Sequence, residues 1–243
     1  MQRLDFTGMQ WVPPSAMVAA AALAHRAHEE GVAFELHGPT RSDPAHYVAR
    51  MRLGRVLTDL EAGHDLPAVR EHDRNEDLIE VVRLDSPSAV ERLARIVHRK
   101  VLPRGAELAA ALHRSVAEVG ENVMDHSGTV GYLAAQTLPR RRELLIAIAD
   151  AGVGMLATLA HRGVGSDEDA IALATRESVS RYDQPDRGRG LPSALRLIGH
   201  ESGSLYIASG TAAIRHFPST RRYLEAEEGF AGTIVEARIP LSE

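Results

Sequence analysis

The chain of 243 residues contains no cysteine. Disulfides, thiolate zinc sites and cysteine nucleophiles are thereby excluded together. Aromatic residues are scarce, at 4%, so a core has to be assembled from Leu, Val, Ile and Ala. Long hydrophobic runs are missing too. The longest apolar stretch, MVAAAALA at 17–24, falls far short of a membrane span and opens no signal peptide. Nor is there a surplus of positive charge: the net charge is −5 and the pI about 6.2, without the basic field that nucleic-acid binders use. Short basic clusters at 140–142 and 221–222 read as solvated turns. What remains, 44% hydrophobic and 25% charged residues, is the profile of a soluble globular protein, expected in the cytoplasm. Its length suffices for one large or two modest domains.

Residues 1–57 alternate strand and helix. RLDFTGMQWV reads as a short strand, PPSAMVAAAALAHRAHEEG as a helix with Pro at its start and Gly31 at its end, and VAFELHG as a second strand. A second helix is expected at 44–57, completing a small parallel α/β unit. Residues 58–77 are polar and acidic, with Gly63 and Pro67, and read as a linker. The second unit, 78–243, opens on LIEVVRL, which alternates like an edge strand. A helix follows Ser86-Pro87-Ser88 to about residue 102, and Pro103 restarts the chain into a helix over 107–125. Strands VGYLAAQTL and ELLIAIAD flank a PRRR turn, and a short helix is expected at 167–175. SRYDQPDRGRG reads as a loop before a helix at 191–199, and strands at 204–209, 212–217 and 232–240 complete the chain. There is no internal repeat and no low-complexity tract.

Four features carry chemistry. In VAEVGENVMDHSG, at 116–128, the buried stripe is set by Leu112, Val116, Val119 and Val123. Glu118 and Asn122 fall roughly 90° to 130° from the centre of that stripe, at its rim, and Glu121 points away. A half-sheltered carboxylate serves as a base, and a neighbouring amide oxygen reaches a hard cation; an incidental i, i+4 polar pair fits the spacing equally well. The second feature is LLIAIADAGVGM, an apolar strand ending at Asp150 and running into Gly152 and Gly154. An acid there accepts from an exocyclic amine, and glycine lets a ligand approach the main chain; a simple Asp-Gly turn is the plainer alternative. In RGRGLPSALRLIG, Gly188 and Gly190 lead into a helix whose free N–H groups favour a polyphosphate. Gly232-Thr233 at the start of the last strand says little alone.

Taken in order, E-x-x-x-N on a helix, DxGxG after a strand, GxG before a helix and GT in a late strand resemble the GHKL ATPase superfamily. That group includes gyrase B, the heat-shock chaperone, the mismatch-repair ATPase and the histidine kinases. The resemblance covers 78–243 and implies an α/β sandwich: a mixed sheet with helices on one face, ATP between the layers and a loop above it. It also implies roles for particular residues. Asn122 would hold Mg2+ bridging the phosphates, Asp150 would read the adenine amine with Thr233 assisting, and Gly152 and Gly154 would shape the pocket floor. Gly188, Gly190 and Leu191 would wrap the phosphates, and Glu118 stands where the family keeps its general base. His126 is expected to be structural, with Ser127 and Gly128 as the helix stop, and His113 to lie on the surface. The stretch 155–187 departs from the family in lacking a long glycine-rich lid, Pro192 follows the second glycine box, and no upstream hairpin carries a phosphorylatable histidine.

Residues 1–57 are similar to STAS domains, the fold of anti-sigma-factor antagonists, without that family's first strands. In those domains a serine at the turn before a helix is phosphorylated by a GHKL-type kinase. Pro13-Pro14-Ser15-Ala16 occupies that place here, with the family's acid and glycine gone; read locally, Ser15 is a helix N-terminal cap. Together the two resemblances imply an ATP- and Mg2+-dependent serine-protein kinase of the anti-sigma-factor, partner-switching type. Its protein partner would be an antagonist or sigma-factor regulator, with no nucleic acid or membrane involved and a homodimer left open. A nucleotide-responsive binding module with little turnover is the alternative. Simple ATP hydrolysis ranks third, for want of a transducer domain after Pro240 supplying a catalytic lysine.

Overall fold

The computed structural model describes residues 1–69, 78–126, 129–176, 191, 196, 198, 202–217 and 220–241. Three short parallel strands, β1 (Gln2–Asp5), β2 (Phe34–His37) and β3 (Gly63–His64), form one sheet in that order. Helix α1 (Pro14–Glu29) connects β1 to β2, and α2 (Ser42–Arg50) and α3 (Leu53–Asp59) lead to β3. The second sheet has the order β4-β5-β6-β8-β7, from β4 (Leu78–Leu84), β5 (Gly131–Leu138), β6 (Glu143–Asp150), β7 (Ser204–His216) and β8 (Arg221–Pro240). Between them in the chain lie α4 (Pro87–Val101), α5 (Ala106–His126), α6 (Gly154–Leu159) and α7 (Asp167–Ala174).

An α/β architecture with a parallel first unit agrees with the sequence pattern. The sheet of the second unit does not match the mixed arrangement expected, because every pairing among its described strands is antiparallel. Hairpin turns such as the one at 139–142 join neighbours directly, which parallel strands do not allow. The second unit's own described helices, α4 to α7, pack on one face of its sheet as expected, and α1 of the first unit covers the other. Leu144, Ile146 and Ile148 of β6 pack with Leu93, Val97, Leu112 and Val116 of α4 and α5, while Ala147, Ala149 and Tyr132 pack with α1. This two-sided cover explains why β6 is buried from Leu144 to Asp150 and reads as a continuous apolar run.

Helix α1 is the hinge of the layering. Ten of its sixteen residues are buried, Ala20, Ala21 and Ala24 among them, and a helix apolar on most sides belongs inside a protein. One flank meets Phe34 and Leu36 of the small sheet; another meets Ala134, Ala147 and Ala149 of the large one, and Ala151 just beyond β6. Side chains of one carbon on both surfaces let helix and sheet backbones come close. Hydrogen bonds pin the rim of this contact: Ser15 Oγ donates to Glu236 Oε2, Tyr47 OH to Gln136 Oε1, and Thr129 Oγ1 to Glu29 Oε2 at 3.0 Å. The first unit is therefore docked on the second through a shared core.

Three further readings are corrected. The stretch 58–77 taken as a linker contains the end of α3 and strand β3, which pairs with β2. The single helix expected at 44–57 is two, broken where Arg52 takes a left-handed conformation at φ 64°. That break lets the Met51 carbonyl accept from Val81 N at 2.9 Å, covering the irregular part of edge strand β4. The strands expected at 204–209 and 212–217 are one, β7, with register shifts around Gly210. No described helix is long and apolar enough to cross a membrane.

The shared core makes a packing prediction. Ala147 is fully buried beneath α1, so Ala147→Leu should overpack the junction and cost about 1–3 kcal/mol. The control Ala157→Leu, at an exposed position of α6, should stay within about 0.5 kcal/mol of the parent. Denaturant midpoints of the two variants decide it, and equal midpoints would place α1 away from the sheet.

Candidate functional site

Side chains of a strand alternate faces, so Asp150 points the same way as Ile148, Ile146 and Leu144. That is the face covered by α4 and α5. Across the ladder Asp150 is in register with Thr233 of β8, and Thr233 with Ser209 of β7. Both continue the same face, since Val235 and Ala237, and Leu205 and Ile207, also belong to the α4–α5 core. On the other side Asp150 pairs with Gly131 of β5. One end of the sheet thus presents Gly131, Asp150, Thr233 and Ser209 in a row on one face.

Helix α5 covers one end of that row. A methyl group at Gly131 would overlap Cγ1 of Val123, so the C-terminal turns of α5 lie directly above β5 next to Asp150. The expected stripe is confirmed at Leu112, Val116 and Val123, all buried, and Glu118 is half-buried at the rim. Asn122 lies in the same part of α5. Its side chain, like those of Val119, Glu121 and His126, falls outside the described residues, as do Ser127, Gly128, Pro192 and the phosphate-loop candidates Gly188 and Gly190. Leu191 is half-buried at the edge of the α4–α5 core. His113 is partly covered, 3.7 Å from Glu91 and edge-on to His98, a surface network between α4 and α5.

Asp150 is 4% exposed. Burial pushes its carboxyl up to about 6, against the lowering effect of the Gly152 and Thr233 main-chain N–H groups. Gly152 N donates to Oδ1 at 2.9 Å. The neighbouring backbone is crowded: Gly232 has φ 105°, and a methyl there would overlap the Asp150 carbonyl, while Gly154 has φ 75°. Both positions demand glycine. Gly154 also opens helix α6, so the turn read as a pocket floor is a helix start as well.

Sequence reasoning missed two residues here. Ser209 is fully buried and bonded on both sides; a serine before glycine reads only as a turn. Asp167, at the first turn of α7, accepts from Thr211 N at 2.9 Å and ties α7 to β7. Ser15, by contrast, does not cap α1: Pro13 is the cap position and the Ser15 hydroxyl serves buried Glu236, which also binds Arg238 Nε at 3.0 Å. Among the described residues there is no group of three or more His, Asp or Glu arranged to hold a metal. A small cavity of about 30 Å³ lies under α5 between Leu112, Val116, Ile148 and Val235; it is apolar and has room for about one water, not a purine.

The raised Asp150 carboxyl has a consequence for stability. In the unfolded chain it titrates at its ordinary value of 3.8, so folding favours the protonated form. That benefit is full below about pH 4 and is lost as the pH rises through about 6. Asp150→Asn, always neutral, should therefore gain on the parent with rising pH, approaching on the order of 2–3 kcal/mol near neutrality. Thermal melts of both chains from acid to neutral pH check this, and a pH-independent difference would contradict the burial of the acid.

Comparison of the chain with protein-family models and with curated proteins finds no match to either.

Proposed function

We propose that this chain is an ATP- and magnesium-binding regulator of the GHKL type, acting as a serine-directed protein kinase on a partner of the anti-sigma-factor-antagonist class. The observation that carries the reading is the row of Gly131, Asp150, Thr233 and Ser209 on one sheet face, with the C-terminal turns of α5 above Gly131 at its end. It brings three of the four sequence features, the helix with Glu118 and Asn122, the Asp150 turn and the Gly232-Thr233 pair, to one end of one sheet. In this reading the Asp150 carboxylate accepts from the adenine amine, with Thr233 beside it on the next strand. Asn122 offers an amide oxygen to Mg2+, which would offset charge on the phosphates. Glu118, half-buried one helical turn away, takes the proton of an incoming serine hydroxyl.

The acceptor belongs on another protein. Ser15 donates to a carboxylate that is 2% exposed, and a phosphate there would set a dianion against a buried anion. The alternative, a nucleotide-responsive binding module, is favoured by one feature: Glu29 of α1 holds Thr129, in the segment joining α5 to β5. A change at the end of α5 is thereby linked to the first unit without any need for turnover.

Calorimetry with ATP, with and without magnesium, tests the site. Asp150→Asn should weaken ATP about tenfold or more while the chain stays folded, the loss of one charge-assisted hydrogen bond. Asn122→Ala should remove the magnesium-dependent part of the affinity and leave the rest. Unchanged ATP affinity in Asp150→Asn would refute the adenine assignment. Labelled ATP with an antagonist protein then separates the two readings. Transfer that vanishes in Glu118→Ala supports the kinase, whereas ATP-dependent capture of the partner with no label in either chain supports the module.

A further inference from the structure

The row at the end of the sheet contains one polar group that no ligand can reach. Ser209 is 0% exposed. Its hydroxyl donates to the Gly232 carbonyl at 2.8 Å and accepts from Met155 N at 2.9 Å. Met155 is the second residue of α6, whose own cap position, Val153, has no side chain able to accept a hydrogen bond. The first N–H groups of a helix need acceptors. Ser209 supplies one from a strand 54 residues away in sequence.

We infer that Ser209 is a positioning residue for the purine end of the nucleotide site, and this rests on the reading of Asp150 and Thr233 given above. The hydroxyl joins three segments: the 150–155 turn, the Gly232-Thr233 step and the end of the regular part of β7. Around it the backbones are already in contact. A methyl at Gly154 would stand 3.1 Å from Ser209 Oγ and 3.4 Å from the Gly232 carbonyl, and one at Gly232 would overlap the Asp150 carbonyl. Directly after Ser209 the β7–β8 register shifts, pairing Gly210 with Phe230 and Ala212 with Glu225, so the regular ladder is interrupted there. Ser209 is the last tie before that irregularity. Without it, Gly232 O and Met155 N lose their partner, and the turn below Asp150 can slide against Thr233. A donor that must meet both residues would then find them misaligned.

Two measurements on the full chain test this. In the wild-type protein the Met155 amide should exchange with solvent as slowly as the central amides of β6, because its acceptor opens only when the sheet does. Rapid exchange, as at an uncapped first turn, would overturn the assignment. Calorimetry with adenosine and with Mg2+–ATP then reads the positioning. Ser209→Ala should weaken both by roughly tenfold, with the magnesium-dependent increment unchanged. A merely structural role would lower the melting temperature and leave the affinity of the folded chain where it was, and that result overturns the proposal. If Ser209→Ala does not fold, the Met155 exchange rate decides. Loss of adenosine binding in Asp150→Asn with full binding in Ser209→Ala leaves the site reading standing and removes Ser209 from it. A wild-type chain that binds no adenosine removes both.

Discussion

Everything in this molecule leans on the contact between an alanine-rich helix and an alanine-rich patch of sheet. Helix α1 brings Ala20, Ala21 and Ala24, and strands β5 and β6 bring Ala134, Ala147 and Ala149, all within one buried cluster. Each methyl contributes little transfer free energy by itself. Their value is geometric, because small side chains bring two backbones near enough for many dispersion contacts at interior density. The same contact gives the three-stranded sheet its core, since Phe34 and Leu36 have α1 as their neighbour on the inner side. Polar pairs, among them buried His25 with Tyr132 at 3.2 Å and Ser15 with buried Glu236, then hold the helix at one place on the patch. Burial keeps His25 below the ordinary histidine range and Tyr132 up at about 12, so both stay neutral near pH 7 and this pair adds no charge to the contact.

With one face of the large sheet committed to α1, the other is left for α4, α5 and the chemistry. Period-two alternation places Leu144, Ile146, Ile148 and Asp150 on that second face. The first three are packing, and the fourth, at the strand's end, is equally buried but meets the main-chain N–H groups of Gly152 and Thr233. The polar row sits there for a physical reason: an acid any earlier in β6 would lie beneath α5, with no main-chain donors to hold it.

Much of this was legible in the residues, and the misses have identifiable causes. Strands β4, β5 and β6 and helices α4 and α5 stood out because periodicity and Pro or Gly punctuation agreed. The rim position of Glu118 followed from helical geometry alone. Arg52 carries no local mark of a left-handed break, since arginine rarely adopts one; tertiary demand from β4 imposed it. Two-residue β3 is too short for any period to register. Helix α6 was hidden because its first residue, Gly154, is a poor helix former chosen for its positive φ. Cover on both faces was hidden because the pattern in α1 says that it is buried without saying on what. The roles of Ser15 and Ser209 depend on partners 221 and 23 residues away, distances at which local spacing says nothing.

That first separation bears on how the chain is made. Helix α1 leaves the ribosome long before β5 and β6 exist, and its bond to Glu236 must wait until the chain has been made as far as β8. Until β5 and β6 emerge, the alanine flank is bare on one side. Native contacts so remote in sequence slow folding, and an apolar flank left uncovered while its sheet is still missing is open to wrong contacts.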